Sequence, residues 1–131
     1  MYMAAKPAPA HTQIDSLILA WLSDKRARDQ SASTCRNCAR SLHAWRSFLS
    51  GHSIRTSSGT RPPDLWDADA TLVRSWQESM RASELRPATI NHTLTGVSSF
   101  YAFAFSAQAV PPTCTANPFR TNISRESVDE Y

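Results

Sequence analysis

An all-α fold, a bundle of four helices, is what this sequence predicts, and three observations carry the prediction. Apolar residues recur at spacings of three and four in four separate segments. Only three glycines stand among 131 residues, too few for most multi-turn β folds. Hydrophobic residues make up 41% of the chain and aromatics 9%, enough for one core, and at ~100–200 residues per domain the length suits a single domain.

Residues 1–11, rich in Ala and Pro and without periodicity, read as a disordered leader ahead of an ordered domain over 12–120. Thr12 is placed to cap the first helix, with Asp15 at the third position of a capping box. Ile14, Leu17, Ile18, Trp21 and Leu22 form its apolar stripe, which gives out in the polar run Asp24 to Gln30. Ser33 or Thr34 is expected to cap the second helix, whose stripe is Cys38, Leu42, Trp45, Phe48 and Leu49 and whose stop is Gly51. Arg36 and Arg40 lie one turn apart on its other side, followed by His43 and Ser47. His52 to Pro63 holds Ser, Thr, Gly, Arg and Pro without a period and reads as a long mobile loop.

Asp67 or Asp69 caps the third helix, where Leu72, Val73, Trp76 and Met80 mark the buried side, and the helix ends near Ser83. Pro87 suits the first position of the fourth helix. Its stripe of Ile90, Leu94, Val97, Tyr101 and Ala104, widened by Phe100, Phe103 and Phe105, makes it the central helix. Pro111 and Pro112 are expected to stop it, and Asn117-Pro118 marks an extended exit. Residues 121–131 turn polar, like a linker.

Charge is unevenly distributed. Gln30 to Pro63 carries five arginines and no acid, Asp64 to Arg86 is mixed and acidic, and Pro87 to Phe119 holds no acid, lysine or arginine. One electropositive face on a helical domain would give this pattern, and so would a solvated basic face. No run approaches the ~18 apolar residues of a membrane helix, so no membrane partner is expected. The first ten residues lack the apolar segment of a secretory signal. With an odd cysteine count (Cys35, Cys38 and Cys114), this points to a reducing, cytoplasmic setting.

Motifs for catalysis are absent. Cys35-Arg-Asn-Cys38 has the spacing of half a zinc site, but Cys114, His43 and His52 are not arranged as a second pair, so no metal is expected. His43-Ala-Trp-Arg46 fits an H-x-x-R string inside an amphipathic helix, where two surface polar residues are the ordinary reading. No phosphate loop, nucleophile elbow or carboxylate pair occurs, and no cofactor is expected. Trp21, Trp45, Trp76, Phe100 and Tyr101 fall on core stripes rather than on stacking platforms. The arginines of the second helix differ, because guanidinium suits phosphate and guanine edges and no acid nearby in sequence neutralises them.

Ser33-Thr34, Leu42, Trp45 and Phe48-Leu49, then Arg86-Pro-Ala-Thr-Ile-Asn-His-Thr-Leu94 with Val97 and Phe100-Tyr101-Ala102, and finally Asn117-Pro118, resemble the core-binding domain of tyrosine recombinases, the phage-type integrases. That family shows a T-x-x-x-Y opening in one helix, an S-P-x-T-I-N-R-R-L-S-A-L-R-S-F-Y block in the last, and an N-P exit. Cys38 stands where the family often has tyrosine, and His92-Thr93 where it often has two arginines.

The resemblance implies a SAM-like four-helix bundle that grips one side of double-stranded DNA and is itself not an enzyme. DNA integration and recombination would need a catalytic domain in cis, reached through the 121–131 linker, and further recombinase protomers on the DNA. The family's catalytic residues belong to that other domain, so His43, Arg46 and Tyr131 are not expected to be catalytic. Carried over by position, the DNA contacts are Ser33, Thr34, Arg36, Asn37 and Arg40 on the second helix, and Arg86, Asn91, His92 and Thr95 on the fourth. The competing reading is a small helical protein–protein interaction module whose uncharged Pro87 to Phe119 segment offers an apolar face to a partner.

Overall fold

A computed structural model describes residues 10–28 and 30–120. Four helices form, α1 (Ala10–Ala27), α2 (Ala32–Ser50), α3 (Ala70–Ala82) and α4 (Pro87–Ser106), with a small hairpin of β1 (Ile54–Thr56) and β2 (Gly59–Arg61) between α2 and α3. The fold is mostly α, as the periodicities require. The expected linker over 121–131 and most of the leader lie outside the described residues, whereas Ala10 and His11, assigned to the leader, are helical.

Helix α4 is central and packs on all three others. Its buried side, Ile90, Leu94, Gly96, Val97, Phe100, Tyr101 and Ala104, covers much of its circumference. Asp15 of α1 bonds Arg46 of α2 at 3.0 Å, and Leu19 shares a cleft with Ala39 and His43, so α1 and α2 run antiparallel. Gly96 of α4 faces Ser41 of α2, and Tyr101 meets Trp45, so α2 and α4 run parallel. The C-terminus of α1 and the N-termini of α2 and α4 therefore gather at one end of the bundle.

Several helix ends differ from expectation. α1 starts at Ala10, which puts Thr12 inside the helix, and Asp15 is engaged by Arg46. Ser31, not Ser33 or Thr34, caps α2: its backbone is extended and its Oγ accepts from the Thr34 amide at 3.0 Å. With the helix begun there, Cys35, Leu42, Trp45 and Leu49 face the core and Cys38 is only half-buried. Asp69 caps α3, its Oδ1 accepting from the Leu72 amide at 2.9 Å. α4 stops at Ser106, well before Pro111: Gln108 turns left-handed at φ 55°, and the Ala109 amide donates to the Ala104 carbonyl at 2.9 Å.

The expected irregular loop contains the hairpin, which pairs Ile54 with Arg61 and Thr56 with Gly59 across a Ser57-Ser58 turn. Gly59 sits at φ 124°, a conformation side chains resist, and Thr56 Oγ1 donates to the Gly59 carbonyl at 2.9 Å. Arg61 then grips Asp67 with two bonds, of 2.6 and 3.0 Å. Burial pushes the Asp64 carboxyl up and the neighbouring Asp67 charge adds to this, against the Trp66 amide bond that lowers it. Burial would also raise Asp67, but the bonds from Arg61 and from the Asp64 amide outweigh it and hold Asp67 below the usual range.

The core is closed by a segment read from sequence as an extended exit. Phe119 is fully buried, 4.9 Å from Trp45, 5.7 Å from Tyr101 and 6.1 Å from Trp76 by ring centroids. Asn117 fixes it: its Nδ2 donates to the Ser98 carbonyl and Oγ at 3.2 and 2.9 Å, while its Oδ1 accepts from the Phe119 amide at 3.0 Å. Trp45 Nε1 donates to the Tyr101 hydroxyl at 3.1 Å, which donates to the Leu65 carbonyl at 2.6 Å. Burial drives the Tyr101 phenol far above its ordinary range, so it stays protonated as this relay requires.

Candidate nucleic-acid interface

Parallel packing of α2 and α4 leaves a surface groove of about 620 Å³ between them. Thr34, Asn37, Cys38, Arg40 and Ser41 line one wall, and Thr89, His92, Thr93 and Gly96 the other. A Cβ on Gly96 would stand 3.6 Å from the Ser41 side chain, an ordinary packing contact, so the two helices meet closely here without requiring glycine. Each wall follows from helical spacing, since residues three and four apart share a face. Thr34, Asn37 and Ser41 form one such line, and Thr89, His92, Thr93 and Gly96 the other.

Four of the nine expected contacts, Thr34, Asn37, Arg40 and His92, thus meet in one groove. Ser33 and Arg36 are exposed on the outward side of α2 beside it, with Arg36 the farther from α4. Thr95 is exposed one turn beyond His92, and Arg86 is exposed at the N-terminus of α4, where its side chain makes no cap bond. Asn91 is separated from the rest. It lies two residues from Thr89, about 200° round the helix, and is half-buried on the flank away from α2. Sequence reasoning missed Ser41, Thr89 and Thr93; the signal was their spacing of three and four from Asn37, His92 and Gly96.

The groove's chemistry is hydroxyls, an amide, an imidazole and a guanidinium. Two of its hydroxyls already have internal bonds: Thr34 Oγ1 accepts from Ser31 Oγ at 2.9 Å, and Thr93 Oγ1 donates to the Thr89 carbonyl at 2.9 Å. Arg36, Arg40 and Arg86 form no ion pair with any described residue. Neither α2 nor α4 has an acid in its first turn, so the partial positive charge of both helix N-termini adds to these cations. The chemistry of such a surface suits anions and the edges of bases.

Other constellations do not assemble. Among the described residues no three His, Cys, Asp or Glu side chains are grouped to hold a metal. Cys35 is buried, Cys38 opens on the groove, and Cys114 is buried elsewhere, its thiol pushed up by burial. His43 and Arg46 of the H-x-x-R string line one small cleft, in which Arg46 is bound to Asp15. Tyr131 lies outside the described residues. A second cleft, where Ile14, Leu17 and Trp66 meet Pro111, contains charged groups that satisfy one another, Arg61 with Asp67. No described helix is long and apolar enough to cross a membrane. No protein-family model matches the sequence, and no curated protein or solved structure matches it significantly.

Proposed function

We propose that the α2/α4 face binds double-stranded DNA and that the chain is the non-catalytic, duplex-positioning module of a tyrosine recombinase. In that role a catalytic domain in cis would form the phosphotyrosine link, and other protomers on the DNA would complete the assembly. The supporting observation is the groove between two parallel helix N-termini, lined by Arg40, with Arg36 and Arg86 exposed at the same end of the bundle and none of the three ion-paired with a described residue. Hydroxyls and amides there suit phosphate, and Asn37 suits an adenine edge. Against the competing interaction-module reading, Ile90, Leu94, Val97, Phe100, Tyr101 and Phe119 of the Pro87 to Phe119 segment are used in the chain's own core, while Phe105 and Val110 stay part-exposed.

Fluorescence anisotropy with a labelled duplex of roughly 20 base pairs, titrated over a range of salt, tests this. About four phosphate contacts give a fall of log K with log salt at a slope near −3 to −4. Arg36→Ala with Arg40→Ala makes that slope shallower by about two, with the melting temperature unchanged because both residues are exposed. Absence of binding at low salt, or a slope near zero, overturns the reading.

A further inference from the structure

Resting on the DNA reading above, we propose that α1 supplies a further phosphate contact, Arg26, on a basic strip that crosses from α1 over α2 to α4. The sequence presents Asp24 to Gln30 only as a polar run; the fold gives it a place. The antiparallel register that sets Asp15 on Arg46 and Leu19 beside His43 brings Arg26 level with Cys35 and the exposed Arg36. A short turn makes this possible, the Gln30 amide donating to the Lys25 carbonyl at 3.2 Å just before Ser31 caps α2.

Around this corner the acids and cations are unequally used. Arg28 is bound to Asp24 at 3.0 Å, and Lys25 stands over the Trp21 ring at 5.4 Å. Arg26 is exposed and has no ion pair among the described residues; Asp29 lies outside them. A cation in the last turn of a helix complements the helix dipole, which accounts for Arg26 belonging to α1. The dipole does not account for a second guanidinium, Arg36, at the same level of the adjoining helix. Two exposed guanidinium groups at one level of adjoining helices can be met together by a polyanion laid along the strip. From Arg36 to Arg40 is about 6 Å of helix and packed helices lie ~8–10 Å apart between axes, so Arg26, Arg36 and Arg40 fall within a span that a few successive phosphates cover, at ~3.4 Å of rise per base pair.

The test measures duplex affinity against salt for the whole chain, wild type and Arg26→Gln, with Arg26→Lys and Arg74→Gln as comparisons. Arg74 is exposed near the start of α3, away from the end where α2 and α4 begin, so its loss removes the same charge elsewhere. Expected for Arg26→Gln is a several-fold loss of affinity at ~0.1 M salt and a slope shallower by about one. Arg26→Lys retains the slope, and Arg74→Gln leaves both quantities near wild type. If Arg26→Gln and Arg74→Gln have the same effect, the α1 contact is overturned while the DNA reading stands. If the wild type shows no salt-dependent binding, the DNA reading itself falls.

Discussion

Tyr101 joins three parts of the molecule through one oxygen, accepting from Trp45 on α2 and donating to the Leu65 carbonyl ahead of α3. Tyr101→Phe keeps the ring and strands both partners in a dry interior, a cost of about 2–3 kcal/mol, read as a lower urea midpoint. The neighbouring carboxylates act in opposite senses. Asp64 has a folded pKa above its unfolded one, so its contribution to stability is present below ~3.9 and lost as pH rises through the folded value. Asp64→Asn keeps an oxygen for the Trp66 amide and is expected to raise the melting temperature at pH 7, with the gain vanishing near pH 3. Asp67, held low, stabilises the fold above its unfolded pKa and ceases to do so as pH falls through the folded value. Asp67→Asn therefore lowers the melting temperature at pH 7, and by progressively less as pH falls through the folded value; melts of both variants across the acid range check the signs. Asp67 showed in the sequence only as one of two candidate caps, because its actual partner, Arg61, is presented by a hairpin that has no apolar signature.

That hairpin illustrates why some elements escape a sequence reading. Ile54-Arg-Thr and Gly-Thr-Arg61 carry no alternation of apolar and polar residues, and β2 is wholly exposed. Its shape comes instead from hydrogen bonds and from Gly59 at φ 124°. Nothing lies within 4 Å of the place a methyl group on Gly59 would occupy, so the strain of a side chain there is purely one of backbone. Gly59→Ala is expected to abolish cross-strand contacts in NMR spectra at a local cost of about 1–2 kcal/mol, leaving the amide exchange of α4 unchanged. The α2 cap was ambiguous for a different reason. Ser31, Ser33 and Thr34 all have a cap's chemistry, and it is the Ser31 side chain that accepts from the Thr34 amide. Ser31→Ala should cost about 1 kcal/mol and Ser33→Ala almost nothing, compared by thermal melting. The four helices themselves were legible, since each buries a stripe that repeats at three and four residues.

At the scale of the molecule, the two walls of the groove were legible as spacings on single helices, but their meeting was not. Nothing local in the sequence sets α2 parallel to α4; that depends on α3 returning the chain between them, and on what fills the space between the helices. Phe119 fills it, resting on Trp45 of α2 and Tyr101 of α4, so a residue remote from the proposed DNA surface braces both of its walls. This separates two ways of losing DNA affinity. Phe119→Leu removes ring contacts at a cost of about 1–2 kcal/mol, lowers the urea midpoint and weakens near-ultraviolet dichroism from the tryptophans. If the proposed DNA binding holds, it should also weaken by letting the walls shift, yet keep its salt slope, because every cation proposed to meet phosphate is still present. The pair Arg36→Ala and Arg40→Ala does the reverse, changing the slope and sparing the stability. If Phe119→Leu changed the slope, or left the affinity untouched while the core loosened, the spacing of α2 and α4 would not be what positions those cations on the duplex.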